Sequence, residues 1–190
     1  MIEKPVGIVA FVGLAAIGGF LSSSAGCSDD TGTGGSDPCA NEIGADQCFQ
    51  QACVTPLTGT ISFKTDVLPL FEQSCALSSS CHGNNQSPTG PSGYQPYLGE
   101  VNPETTPSDV DLIMATIVSQ KSPTSALSIV EPGHPETSFL MHKMDGDVDC
   151  PDLGCTGGDC GDTMPQGSTP MAREARDKVR AWIQQGAKNN

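Results

Sequence analysis

The chain has 190 residues, 22 Asp and Glu against 9 Lys and Arg, and a net charge of −13 at pH 7. A surface so acidic repels phosphate backbones, which argues against nucleic acid and favours basic partners or plain solubility. The length suits one ordinary domain with extensions rather than two domains.

Residues 1–26 read as an export signal: Lys4 near the start, an apolar run from Val6 to Leu21, then Ser-Ser-Ser-Ala-Gly ahead of Cys27. The run falls short of the roughly 20 residues that span a bilayer, so cleavage is expected. Ala25 and Gly26 before Cys27 resemble a bacterial lipobox, although Ser24 stands where that motif usually carries Leu. The resemblance implies lipidation of Cys27 and cleavage in front of it. Each buried methylene of an acyl chain contributes about 0.8 kcal/mol, and more than one chain holds a protein on a membrane. Ser28, by resemblance to Gram-negative lipoproteins, points to the outer membrane, with the protein periplasmic or at the cell surface. Losing Glu3 and Lys4 together leaves the net charge unchanged. Nine cysteines in an exported chain fit an oxidising compartment.

Residues 27–38, polar and glycine-rich, form a flexible tether with nothing to bury. Residues 39–59 carry Cys39, Cys48 and Cys53 but few large apolar groups, so order there is expected from disulfides. Residues 60–190 hold the helical signals. A first helix is predicted from an N-cap at Asp66, with Pro69 in its first turn and Val67, Leu70, Phe71 and Ser74 on one face. A second follows a capping box of Ser108 and Asp111 and runs to about Gln120, with Val110, Ile113, Met114 and Ile117 on its stripe. A third restarts after the Pro132-Gly133 turn with Pro135 in its first turn. The last covers about Ala172 to Gln185, with Ala175, Val179, Trp182 and Ile183 inward and Gly186 as its stop. No β-alternation of any length is present. The predicted class is mainly α: a small helical domain with long loops, stapled by disulfides.

The segment Ser78–Pro107 is a long aperiodic loop, of a kind that is often functional or wrapped around a ligand. It opens with Cys81-His82-Gly83, the ending of a covalent haem attachment site, with Cys75 upstream. Together with the helix DVLPLFEQSC, the segment VEPGHPETSFL, the Met164-Pro165 pair and the closing helix VRAWIQQGA, it resembles a class I c-type cytochrome domain of the divergent planctomycete type, over roughly residues 60–188. The resemblance implies one haem c held by thioethers from Cys75 and Cys81, with His82 as proximal and Met164 as distal iron ligand. A distal thioether raises the reduction potential. It also implies crossed first and last helices, with Phe71 near Trp182, and a single-electron carrier rather than an enzyme. The expected redox partner is a basic protein.

Two positions depart from the family pattern. Five residues, Ala-Leu-Ser-Ser-Ser, separate Cys75 from Cys81 where two are usual. As helix they would hold the cysteines about 9 Å apart, so they must bulge out, which serine hydroxyls tolerate. His134 stands where an acidic or amide cap is more usual.

Other readings of the same residues stand beside this one. A Cys75–Cys81 disulfide would close a tight loop in a haemless surface lipoprotein with a degenerate cytochrome-like frame and a binding or structural role. If both cysteines hold haem, Cys39, Cys48, Cys53, Cys150, Cys155 and Cys160 remain for three disulfides. If neither does, eight cysteines make four, and a thioether through Cys81 alone leaves an unpaired thiol. Connectivity does not follow from spacing. Cys150, Cys155 and Cys160 suit disulfides better than zinc in an oxidising space. A staple at Cys160 would also hold the Met164 loop. Met141, Met144, Met171, His134 and His142 are substitute ligands. Asp145-Gly-Asp147-Val-Asp149 begins like a calcium loop but lacks its later Gly and Glu, and reads as a solvated acidic loop.

Overall fold

Ser62 begins the helical part of the chain. In the computed structural model, which describes residues 37–85 and 95–190, its side chain accepts a hydrogen bond from Thr65 N, and its own N–H donates to Asp66 Oδ2 at 2.8 Å. The helix therefore starts four residues before the predicted Asp66 cap, through a π-helical turn at Phe63–Val67 that leads into α1, Leu68–Ser74. Helix α2 spans Val110–Ile117, α3 Phe139–Asp145 and α4 Arg173–Gln184. Short 3-10 turns precede α3 at Pro135–Thr137 and follow it at Pro151–Leu153. Four isolated bridges are the only β-pairing among the described residues. Among the described residues the fold contains helices, no strands and three disulfides, but more of these residues lie in loops than in helices, so it is less helical than the mainly α class expected. The predicted signal segment, Cys27 and most of the tether lie outside the described residues.

The cap of α2 also differs from expectation. Asp109 accepts from Leu112 N at 3.0 Å, while Ser108 Oγ donates to Glu72 Oε1 at 2.6 Å and accepts from Glu100 N at 2.8 Å. Ser108 is thus spent on tying α1 to the loop before α2. Helix α4 ends at Gly186 with φ +97°, the left-handed conformation glycine adopts without strain.

The core gathers Phe63, Phe71, Ile113, Ile117, Trp182 and their neighbours, all fully or almost fully buried. The ring that meets Trp182 is Phe63, with centroids 5.1 Å apart, and Phe63 meets Phe71 edge-on at 6.0 Å. The expected contact between the first and last helices thus runs through a residue upstream of the predicted one. Each fully buried aromatic here contributes about 1.5–3 kcal/mol.

The extension is locked to this core by charge and covalent bonds. Cys39 pairs with Cys53, Cys48 with Cys150, and Cys155 with Cys160, which uses all six predicted disulfide cysteines. Glu42 pairs with Arg173 at 2.7 Å and with Arg176, and the Phe49 ring lies 4.4 Å from the Arg180 guanidinium. Residues 145–149 are not the solvated loop expected. Asp145 is buried against Arg176 and Arg180, and Asp147, also buried, accepts from Phe49 N at 2.8 Å and from His142.

Both ring nitrogens of His142 face acceptors: Nδ1 lies 2.9 Å from Asp147 Oδ2, and Nε2 lies 3.1 Å from the Glu136 carbonyl. Both therefore donate, and the ring is held as imidazolium. Burial opposes the charge, but the Asp147 carboxylate, the Glu136 carbonyl and the Asp145 charge together raise the pKa above its ordinary 6.5.

Two outcomes follow from these contacts. Replacing Cys48 and Cys150 by Ser opens a loop of 102 residues and should lower unfolding free energy by about 2–5 kcal/mol, read from urea titration. For His142, the raised native pKa means its stabilisation is complete below pH 6.5 and is lost as pH rises through the native value. The stability difference between the native chain and His142→Gln should accordingly shrink with rising pH; a difference flat from pH 5 to 9 would contradict the imidazolium.

Candidate haem site

The site starts where α1 ends. Cys75 caps the helix, Ala76 N still donates to Phe71 O, and the five-residue insert then leaves the helical path. The chain returns at once: His82 N donates to Cys75 O at 3.1 Å and Gly83 N to Ser78 O at 3.2 Å. Ser78 Oγ lies 3.2 Å from both Cys81 N and Cys81 Sγ and 2.9 Å from Ser80 Oγ, so the serines supply the insert's local bonds. Gly83 is required by close approach, since a Cβ there would stand 2.9 Å from the carbonyls of Ala76 and Ser78.

His82 is oriented by a later part of the same long loop. Its Nδ1 lies 2.8 Å from the Pro96 carbonyl, which only accepts, so Nδ1 carries the proton and Nε2 keeps its lone pair. Leu98 N closes the same turn on His82 O at 2.9 Å. Burial lowers the pKa of His82, partly opposed by the Pro96 bond, and the neutral imidazole is the form that binds a metal.

Cys75, His82 and Met164 line one cleft of about 290 Å³, walled largely by apolar groups that include Leu98, Leu140 and Met144. That volume sits near the low end of ligand pockets, about 300–1,000 Å³. Cys81 is exposed and Cys75 buried, and these two are the unpaired cysteines among the described residues. Burial, with the nearby Cys81, pushes the Cys75 thiol up to about 12, so it stays protonated. Met164 lies on the loop after the Cys155–Cys160 disulfide, and its N–H donates to Lys143 O at 2.8 Å.

The substitute ligands separate cleanly. Met144 and Met171 share the cleft, Met141 is buried in the core, His142 has both nitrogens engaged, and His134 is exposed beside Glu136. No sequence signal marks Pro96 or Lys143, because both act through backbone carbonyls that only folding brings together: the Pro96 carbonyl meets His82, and Lys143 meets Cys160, Asp162 and Met164. A neutral imidazole, a thioether and one free thiol, Cys75, line a largely apolar cleft, while the second free thiol, Cys81, is exposed and lies outside its lining. The imidazole and thioether are the donor types that suit a haem iron. No family model matches the chain, and neither a curated protein nor a solved structure does.

The two thiols should differ sharply in reactivity. In haem-free, unreduced protein, a thiol reagent should label Cys81 at least about tenfold faster than Cys75 and leave the other six untouched. A mass spectrum showing a Cys75–Cys81 disulfide instead would remove both thiols from the site.

Proposed function

We propose that this chain is an exported, lipid-anchored protein with a cytochrome c-like domain that carries one haem c and transfers single electrons. One arrangement supports the reading: His82, with Nε2 left free by the Nδ1 bond to Pro96, shares a cleft with Met164 and Cys75, while six other cysteines are paired off.

When bound, the haem would supply a one-electron iron couple. The chain's own groups do the rest. Cys75 and Cys81 would hold it through thioethers, each the net addition of S–H to a vinyl group, which needs no oxidant. His82, its ring held by Pro96, and Met164 would be the iron ligands, and a thioether ligand would raise the potential. The apolar side chains of Leu98, Leu140 and Met144 would limit water in the cleft, which would disfavour the more highly charged ferric state and raise the potential further. The function is that of a carrier, and the acidic surface favours a basic redox partner through electrostatic steering.

Protein exported from a host that matures haem c should give a c-type pyridine haemochrome spectrum at one haem per chain. His82→Ala should abolish its low-spin spectrum, and Met164→Ala should lower its potential. Colourless protein containing a Cys75–Cys81 disulfide, from a host shown to attach haem at this spacing in a control protein, would instead identify a haemless lipoprotein on a cytochrome-like frame.

A further inference from the structure

Met164 lies in a segment with little to hold it. Residues 160–168 contain no helix or strand, and their internal hydrogen bonds are local, such as Gln166 Nε2 to Asp162 Oδ2 at 2.5 Å and Ser168 N to Pro165 O at 3.3 Å. Among the described residues, apart from Gly161 N donating to the adjoining Asp159 Oδ1 at 2.7 Å, the hydrogen bonds tying this segment to other parts of the fold all end on Lys143 of α3. Lys143 Nζ donates to the carbonyls of Cys160 and of Asp162, the latter at 2.8 Å, and Lys143 O accepts from Met164 N at 2.8 Å. The ammonium also stands 5.2 Å from the centre of the Phe139 ring.

From this geometry we infer that Lys143 is the positioning residue for Met164: a latch that fixes the 160–164 segment on α3 and presents the Met164 thioether to the cleft. An ammonium has three donors and no acceptor, which matches two carbonyls and an aromatic face. Its bonds to the carbonyls are charge-assisted and correspondingly strong. The disulfide at Cys160 fixes one end of the segment, the backbone bond at Met164 fixes the other, and the Lys143 side chain spans the interval. Gly161 lies between the two gripped carbonyls with φ +69°, and a Cβ there would come within 3.3 Å of Nζ. A side chain at 161 would strain the backbone and crowd the latch together. Met144 and Met171, which share the cleft, have no part in this grip.

The latch stands on geometry alone, whereas its consequence for the iron rests on the proposed haem reading, and the two are separable by experiment. Lys143→Leu keeps an apolar stem and adds no metal ligand; Gly161→Ala attacks the same contact with α3 unchanged. Each would be exported oxidised, with and without haem c maturation, with disulfides checked by mass and helix content by circular dichroism.

In the haem-free proteins, hydrogen exchange at the Met164 amide should be about tenfold or more faster in Lys143→Leu than in the native chain. In the haem-loaded proteins, the ferric sulfur-to-iron charge-transfer band should be lost or weakened and the potential lowered. Unchanged exchange in a folded variant overturns the latch. Faster exchange with an intact sulfur–iron band overturns its role in presenting Met164. If Lys143→Leu fails to fold, Gly161→Ala decides by the same criteria. If the native chain takes up no haem, the exchange result still stands or fails by itself, and only the proposed function is lost.

Discussion

The carboxylate of Asp145 is the contact on which the arrangement of this molecule depends. Placed at the end of α3, it is 4 % exposed and receives Arg176 Nη1 at 2.7 Å and Arg180 Nη2 at 2.9 and 2.8 Å from α4. Helix α3 contributes Leu140, Lys143 and Met144 to one part of the cleft wall. Helix α4 carries Trp182 against Phe63, which opens the turn leading through α1 to Cys75 and His82. Joining α3 to α4 at Asp145 therefore helps set how the Met164 side of the cleft faces the His82 side. A buried ion pair need not add net stability over apolar packing, but leaving one partner unpaired costs about 3–5 kcal/mol. The cluster penalises any other arrangement of the two helices.

A small domain with few aromatic side chains cannot bury enough apolar surface to hold a loop-rich chain by packing alone. The extension shows what replaces packing here. Glu42 enters the same arginine cluster, Phe49 covers Arg180, and Phe49 N binds Asp147, which is itself paired with His142. The Cys48–Cys150 bond then closes the longest of the three disulfide loops. Apart from the local His142–Asp147 pair, these contacts join residues 42–49 to residues 147–180. The extension and the helices accordingly belong to one compact unit, Ser36–Asn190.

What could be read from the sequence follows the reach of each signal. Helical periodicity located α2 and α4 within a few residues, because the buried stripes of Ile113 with Ile117 and of Val179 with Trp182 lie within single segments. The caps were misread where a polar side chain had a tertiary use: Ser108 serves Glu72 and Glu100, and Asp109 takes its place at the helix. The buried state of Asp145 and Asp147 was hidden for the same reason, since their partners lie on α4 and in the extension. The Cys75–His82 turn was legible as a motif. Its orientation by Pro96 was not, because any residue can offer a carbonyl and only the fold selects which one does.

The same economy shapes the surface. Arg173 and Arg176 bind Glu42, Arg176 and Arg180 bind Asp145, and Lys143 is spent on backbone carbonyls. Among the described cations, that leaves Lys64, Lys121, Lys178 and Lys188, with Lys143, whose charge neutral carbonyls do not cancel, to offset a much larger number of carboxylates. Because the paired groups are largely neutral as units, the field beyond the surface comes mainly from the unpaired acids. Such a field attracts a cationic partner from a distance and weakens as salt shortens the screening length, about 8 Å at physiological ionic strength. On the proposed reading, the arginines that hold the frame together thus also leave the exterior acidic, so that folding and partner choice draw on one small set of charges.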